Sequence, residues 1–222
     1  MIFKKRKKAK ENTVKINILT IFPGQVESFV KIGMLEQSAR KNLAEFNIVD
    51  IRKFSDNRHR KVDDMPYGGG PGMVMSAPPV IRALESLEQP GIKILLAPNG
   101  EDFNQTEAAK LAGRDMTLIC GRYTGIDYRV REYVDRIFSV GNYIVSGGEL
   151  PALIITEAAV RLIPGVLGDE KSLEEDRGYP VYTRPQNFRG MEVPEVLLSG
   201  NHKKIEDFRD RKQENYHDRT DK

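Results

Sequence analysis

The chain has 222 residues, of which 39% are hydrophobic and 30% are charged. This composition supports one substantial hydrophobic core, or a core plus a small appendage, and does not favour a disordered protein. The longest apolar-rich stretch, residues 150–164, contains Glu157 and Arg161, so no run approaches the roughly 20 apolar residues of a membrane span. The amino terminus lacks the apolar segment of a secretory signal, and the single cysteine, Cys120, excludes an internal disulfide. We therefore expect a soluble protein of the reducing cytoplasm.

The formal net charge of +3 is unevenly distributed. Residues 1–15 carry seven Lys or Arg and one acid, a charge of +6, which leaves about −3 for the rest of the chain. A basic arm over residues 1–14 can hold a phosphate backbone in a salt-dependent way. It can equally be a solvated tail or the product of a misassigned start codon. Bulk charge therefore does not indicate that the folded body binds nucleic acid.

Short apolar runs alternate with segments of helical periodicity. Five runs are short enough for buried strands, namely residues 15–22, 46–51, 93–97, 116–120 and 136–140. Apolar residues recur at helical spacing in residues 33–46, 78–88, 104–114, 127–134 and 150–163. This alternation predicts an α/β fold with a mostly parallel sheet that carries helices on its faces.

The chain changes character after residue 164. Residues 165–190 are polar and rich in Gly and Pro, which predicts a linker or a mobile loop. From about His202 the pattern predicts a charged amphipathic helix with Ile205 and Phe208 on one face. We therefore divide the chain into the basic arm, an α/β domain over residues 15–164, the linker, and a short helical part over residues 191–222.

Three glycine-bearing stretches follow predicted strands. They are LAPNG (residues 96–100), CGRYTGID (120–127) and VGNYIVSGGELP (140–151). Ligands of parallel sheets collect at the carboxyl ends of strands, so three such loops can build one pocket. None of the three matches a dinucleotide-binding or P-loop fingerprint. We expect a pocket that recognises another group, such as adenine and ribose, through the backbone.

A set of ordered motifs makes the sequence similar to a known family. VDDMPYGGGPGM, LAPNG, CGRYTGID, VGNYIVSGGELPAL, RLIPGVLG and YTRP follow one another over residues 62–185. INILTIFP precedes them and VPEVLLSGNHKKIEDFR follows them. Together they closely resemble the bacterial tRNA (guanine-N1)-methyltransferase (TrmD) family of the SPOUT class, over roughly residues 15–212.

The resemblance implies a SPOUT-type sheet with a deep trefoil knot and an obligate homodimer. It also implies S-adenosylmethionine-dependent methylation of N1 of the guanosine immediately 3′ of the tRNA anticodon. Residues 165–190 then become a catalytic lid, and residues 191–222 a tRNA-binding part. The residues expected to line the cofactor pocket are Leu96, Ala97, Pro98, Gly100, Gly121, Val140, Gly141, Asn142, Tyr143, Ile144, Val145, Gly147, Gly148 and Pro151.

The resemblance also implies two catalytic residues. Asp176 matches the family's catalytic aspartate, a general base that accepts the guanine N1 proton and that we expect the partner subunit to supply. Arg161 matches an arginine that stabilises the negative charge developing on guanine O6. Without the motif, Asp176 is one acid in an acidic loop and Arg161 is a charge on a helix face.

Basic side chains are candidate tRNA contacts, with a solvated surface as the alternative. The RNA-binding candidates are Arg58, His59, Lys61, His202, Lys203, Arg209 and Arg211. An RNA site of this kind requires the target base to leave its stack and to be recognised on its Watson–Crick edge. No His/Cys cluster indicates zinc, and we assign no metal ligand. We expect Cys120 to be a buried small hydrophobic residue.

Two differences from the family pattern bear on activity. Thr124 stands where the family usually has an acidic residue, and only RGYPVY separates Asp176 from YTRP, where the family has a longer insert. The missing carboxylate makes Mg²⁺ a doubtful cofactor, because hard cations prefer carboxylate oxygens. These differences keep open a second interpretation, a non-catalytic relative that binds S-adenosylmethionine or RNA without turnover.

The stretch MPYGGGPGM, residues 65–73, contains four glycines and two prolines. We expect it to lie beside the cofactor pocket and the dimer contact, where backbone packs closely on backbone. A side chain at Gly69 should then disturb folding or cofactor binding.

Overall fold

Five apolar segments pair in parallel to form the central sheet. The computed structural model describes residues 13–167 and 179–217, with side chains of the second range to residue 210. In chain order the first seven strands are β1 (Val14–Thr20), β2 (Ala44–Asp50), β3 (Asp63–Asp64), β4 (Val74–Met75), β5 (Ile92–Asp102), β6 (Met116–Cys120) and β7 (Arg136–Ser139). The sheet order is β2-β1-β6-β5-β7, with every pair parallel, while β3 and β4 form a separate antiparallel pair. The predicted α/β fold with a parallel sheet is confirmed.

Helices cover both faces of this sheet because its central strands are apolar on both faces. They are α1 (Pro23–Val30), α2 (Gly33–Arg40), α3 (Ala77–Glu85), α4 (Gln105–Leu111) and α5 (Glu149–Val160). Alternate residues of β1 point to opposite faces. Ile16 and Ile18 pack with apolar residues of α1, α2, α4 and α5, whereas Leu19 packs with those of α3. Burial on both faces explains why these strands are continuous apolar runs.

The structure corrects two of the predicted helices and adds one that was not predicted. The predicted helix over residues 33–46 is wrong beyond Arg40, because Asn42 takes a positive φ of 56° and β2 starts at Ala44. Residues 127–134 form a short 3₁₀ helix, Tyr128–Tyr133, instead of an α-helix. The sequence prediction missed α1, whose eight residues bury only Val26 and Val30.

The chain divides into two compact units, Met1–Glu170 and Lys171–Lys222. The second unit contains a short hairpin, β8 (Asn187–Phe188) with β9 (Met191–Glu192), followed by α6 (Glu195–Leu198) and α7 (His202–His217). The predicted amphipathic helix is present as α7. Ile205 and Phe208 are half-buried there, while the other residues of 202–210 are exposed. The division of residues 1–222 into four functional parts, and the knot, stay predictions.

Among the described residues, no helix combines the length and the hydrophobicity that crossing a membrane requires.

A substitution of Gly91 can test how closely the backbone packs at the start of the sheet. Its φ is +58°, and a Cβ there would overlap the Asp115 carbonyl and lie 2.7 Å from the Met116 nitrogen. Gly113 has a similar φ of +73° but open space around the same position. We expect Gly91→Ala to lower the free energy of unfolding by about 2–4 kcal/mol and Gly113→Ala by only about 1 kcal/mol. Urea unfolding measures both, and equal losses would contradict a steric role for Gly91.

Candidate active site at the carboxyl edge of the sheet

A cavity of about 590 Å³ lies where β5, β6 and β7 end. β6 and β7 end at the level of Leu96 in β5, which pairs with both Cys120 of β6 and Phe138 of β7, and β5 leaves the regular ladder after this residue. The loops that leave them therefore meet at one edge of the sheet, as the sequence predicts. A cavity of this size is typical of a small-molecule site.

Twelve of the fourteen residues predicted to line a cofactor pocket lie in the wall of this cavity. They are Leu96, Ala97, Pro98, Gly121, Val140, Gly141, Tyr143, Ile144, Val145, Gly147, Gly148 and Pro151. Gly100 and Asn142 do not line it. Gly100 has a packing reason instead, because a Cβ there would lie 2.6 Å from the carbonyl carbon of Phe138.

The first wall is a bulge in β5. Leu96 and Glu101 both align with Phe138 of β7, so residues 97–100 project out of the ladder. The bulge places Ala97, Pro98 and Asn99 in the cavity wall. A bulge at the end of a strand redirects backbone and side chains, and it often lies beside a functional site.

The second and third walls are joined through glycines. Gly147 forms a β-bridge with Arg122, and the Gly148 amide donates a 2.8 Å hydrogen bond to the Gly121 carbonyl. A Cβ on Gly148 would lie 2.7 Å from the Cys120 Cα. The loop before α5 can therefore lie against the end of β6 only because it carries no side chain there.

A buried charge lies under these two walls, and sequence reasoning missed it. The Glu149 side chain is 3% exposed, and Arg122 Nε donates to its Oε2 at 2.8 Å. The Thr20 hydroxyl donates to Glu149 Oε1 at 2.7 Å. The signal in the sequence was a charged residue next to glycine in each of two motifs, GR and GGE.

Cys120 adjoins this network and is fully buried, as predicted. Burial raises the pKa of its thiol well above the ordinary value, and the negative charge of Glu149 adds to the effect. The thiol therefore stays protonated and acts as a small apolar group rather than as a nucleophile.

Two arginines of the 3₁₀ helix bind neighbouring side chains, and one of them, Arg131, lines the cavity. Arg131 Nη2 donates to Asn99 Oδ1 at 2.7 Å, and its guanidinium lies 4.8 Å from the centre of the Tyr128 ring. Arg129 forms a 2.6 Å ion pair with Asp127, and the hydrogen bond from Arg129 lowers the pKa of that carboxyl. The Arg131 contacts connect the bulge of β5 to the 3₁₀ helix after β6.

The glycine-rich stretch, residues 65–73, is built differently from its prediction. Close backbone packing within the chain is wrong for Gly69, because none of its atoms lies within 4 Å of the Cβ position there. Its φ of +76° explains the glycine instead. Gly72 does make a close approach, since a Cβ there would overlap the Thr124 methyl group.

Thr124 ties this stretch to the cavity wall. Its hydroxyl donates to the Met73 carbonyl at 2.6 Å, and its amide donates to the same oxygen at 3.0 Å. The Met75 amide then donates to the Gly125 carbonyl at 2.9 Å. The end of the glycine-rich stretch therefore supports the loop after β6.

Of the two predicted catalytic residues, only Arg161 can be placed, and it does not line the cavity. Asp176 lies outside the described residues. Arg161 caps the carboxyl end of α5 and is exposed, whereas Gly148 and Pro151, at the other end of this helix, line the cavity. At 1.5 Å per residue, Pro151 and Arg161 are separated by about 15 Å along α5.

The candidate RNA contacts lie on the surface. Those with described side chains are all exposed, namely Arg58, His59, Lys61, His202, Lys203 and Arg209. Lys61 makes a 3.6 Å ion pair with Asp64, and the Arg209 guanidinium lies 5.2 Å from the centre of the Tyr179 ring. The Arg211 side chain lies outside the described part of the chain. In the two described ranges, no cluster of three or more His, Cys, Asp or Glu side chains is placed to hold a metal.

A second cavity, larger at about 1200 Å³, lies at the opposite edge of the sheet. It is lined by the starts of the strands, including Lys15, Ile92 and Arg136, and by charged side chains of both signs. Ligands of parallel α/β sheets bind at the carboxyl edge, where loop backbone is open. We therefore take the smaller cavity as the candidate active site.

Gly72 and Thr124 provide a test of the contact between the glycine-rich stretch and the wall. We expect Gly72→Ala to lower the melting temperature by several degrees more than Gly69→Ala, because only the first methyl group overlaps a neighbour. Thr124→Ser, which removes the Thr124 methyl group and keeps the hydroxyl, should restore most of the difference in the Gly72→Ala background. Thermal unfolding measures all three, and failure of this rescue would contradict the contact.

Comparisons with known proteins identify the family of the chain. Residues 14–222 match the family model described as tRNA (Guanine-1)-methyltransferase TrmD. A tRNA (guanine-N(1)-)-methyltransferase of Carboxydothermus hydrogenoformans is 48% identical, over 88% of this chain and 81% of the relative. One from Dictyoglomus turgidum is 45% identical, over 88% and 83%. The crystal structure of the tRNA (m1G37) methyltransferase from Aquifex aeolicus matches with a TM-score of 0.77 and 40% identity, over 88% of this chain and 87% of that one. The chain belongs to the tRNA (guanine-1)-methyltransferase TrmD family.

Proposed function

We propose that this chain methylates N1 of the guanosine immediately 3′ of the tRNA anticodon, with S-adenosylmethionine as methyl donor. Family membership and the activity named for its relatives support the reaction. The observation that carries the proposal is the cavity formed where β5, β6 and β7 end. A tRNA substrate also agrees with the expected cytoplasmic location.

The cavity wall fits an adenosyl group. Leu96, Phe138 and Val140 supply apolar surface for a purine ring, and the loop backbone supplies N–H and C=O groups for its edge. The volume of about 590 Å³ lies within the range of roughly 300–1,000 Å³ that is usual for such ligands. When bound, S-adenosylmethionine supplies an electrophilic methyl group on a positively charged sulfur.

The residues of the chain then have two tasks at the guanine. N1 carries a proton at neutral pH, and we propose that the Asp176 carboxylate accepts it as the new C–N bond forms. Loss of this proton leaves negative charge on guanine O6, where the guanidinium of Arg161 can donate hydrogen bonds.

We propose that Arg161 performs this task across a dimer. It lies about 15 Å along α5 from the end of the helix that lines its own cavity. Large apolar side chains are exposed on α1 and α5, which contact each other, including Phe29, Leu150 and Ile154. Exposed apolar surface of this kind marks interfaces. We therefore propose a homodimer in which Arg161 of the partner subunit completes each site.

The exposed basic residues around Arg58 and on α7 are the proposed backbone contacts of the tRNA, since phosphate contacts orient a nucleic acid. We do not expect Mg²⁺ to be required through position 124, because the Thr124 hydroxyl is already bonded to the Met73 carbonyl and is a poorer cation ligand than a carboxylate.

Methyl transfer to a tRNA transcript tests the function and the base. We expect transfer of labelled methyl from S-adenosylmethionine to a transcript with guanosine 3′ of the anticodon, and none when that guanosine is replaced by adenosine. Asp176→Asn should lower kcat by about 10²–10⁴-fold, because it removes the proton acceptor. The neighbouring Glu175→Gln is the matched control and should keep full activity. Cofactor binding by the wild type without transfer would instead support the non-catalytic interpretation.

Mixing of inactive subunits tests the shared site. Arg161→Ala removes the proposed O6 contact, and Ala97→Phe fills the cavity. Each variant alone should be inactive. After unfolding and refolding together, mixed dimers should regain activity, because one of their two sites combines an open cavity with an intact Arg161. Sedimentation verifies that the refolded mixture is dimeric. If the dimers form and methyl-transfer activity does not return, Arg161 acts within its own subunit.

A further inference from the structure

We propose that Arg122 and Glu149 are a positioning pair, which fixes the walls of the cavity and so sets the affinity for S-adenosylmethionine. The inference rests on the proposed function, because it assigns to this pair an effect on the cofactor of that reaction. Neither residue needs to contact the cofactor.

Glu149 is a buried carboxylate whose two oxygens both have partners. Oε1 accepts from the fully buried Thr20 hydroxyl, and Oε2 accepts from Arg122 Nε. Burying an ion pair costs desolvation that its attraction often fails to recover, so such a pair is weak evidence for stability. If the pair at the start of α5 served stability alone, two apolar side chains of similar volume would serve as well. The presence of charged groups therefore favours a role in orienting the segments that they join.

Arg122 donates to the protein from each of its three side-chain nitrogens. Besides Nε on Glu149, Nη2 donates to Gln25 Oε1 at 3.2 Å and Nη1 to the Ser146 carbonyl at 3.5 Å. Its guanidinium also lies 4.5 Å from the centre of the Phe22 ring. All three nitrogens thus contact other segments of the chain. Although the side chain borders the cavity, each of its three nitrogens has an acceptor within the protein.

These contacts connect four segments. Arg122 belongs to the loop after β6, Ser146 to the loop after β7, Glu149 to α5 and Gln25 to α1. A Cβ on Gly147 would overlap the Arg122 side chain, so the glycine makes room for it. Only a planar guanidinium, with donors pointing in several fixed directions, can join these segments at once. A lysine would keep the charge and lose the geometry.

The pair therefore acts on the cavity through its two glycine-bearing walls. Gly121 and Gly147 adjoin Arg122 and Ser146, and both glycines line the cavity. When the contacts between Arg122 and Glu149 are lost, these two walls can separate. Ligand binding must then supply the free energy that orders the walls. The cofactor affinity should fall while the reacting groups keep their chemistry.

Calorimetric titration with S-adenosylmethionine, combined with steady-state kinetics, tests the pair. We expect Arg122→Lys and the near-isosteric Glu149→Gln to raise Kd and KM for the cofactor at least tenfold, with a much smaller change in kcat. Because both act through one contact, the double variant should lose no more affinity than the weaker-binding single variant. Arg82→Lys is the matched control, since Arg82 forms a 2.5 Å ion pair with Asp56 away from the cavity.

Three results would overturn the inference: unchanged Kd in folded Glu149→Gln protein, additive losses in the double variant, or a fall in kcat with unchanged KM. Circular dichroism verifies folding of each variant. If the wild type fails to bind S-adenosylmethionine, the proposed function itself is wrong. If the wild type and both single variants bind equally well, only the positioning role is wrong.

Discussion

The parallel pairing of β6, β5 and β7 at one common level is the constraint on which the site depends. It brings together three loops that lie up to about 50 residues apart in the sequence. Once the loops meet, their backbones have to share a small space. Glycine at positions 100 and 148 permits this, because a Cβ at either position would lie within 2.7 Å of backbone atoms. The cavity is thus a consequence of strand register and of missing side chains.

Much of this arrangement was predictable because its signals are local. Buried parallel strands are short apolar runs, and the strand predicted at residues 116–120 has the same bounds as β6. Ligand sites of parallel sheets lie at the carboxyl ends of the strands, so the positions of the three loops in the sequence are enough to predict that they meet. Helix ends were less predictable, because a single residue such as Asn42, with its positive φ, ends α2 without a Gly or Pro to mark it.

The tertiary contacts of the site were not predictable from pattern. Glu149 lies 27 residues from Arg122 and 129 from Thr20, and no periodicity connects them. The glycines of residues 68–70 were misjudged for a related reason. A run of glycines indicates either crowding or positive φ, and only coordinates distinguish the two. Family resemblance supplied Asp176 and Arg161, and their roles still depend on the dimer that we propose.

Hydrogen–deuterium exchange with and without saturating S-adenosylmethionine tests most directly whether the carboxyl-edge cavity holds the cofactor. The account predicts slower exchange at the amides of residues 96–100, 121–126 and 140–148, and no change around Gly91 and Arg114 at the opposite edge. Protection at the amino edge, or unchanged exchange in all three carboxyl-edge loops despite saturation, would contradict it.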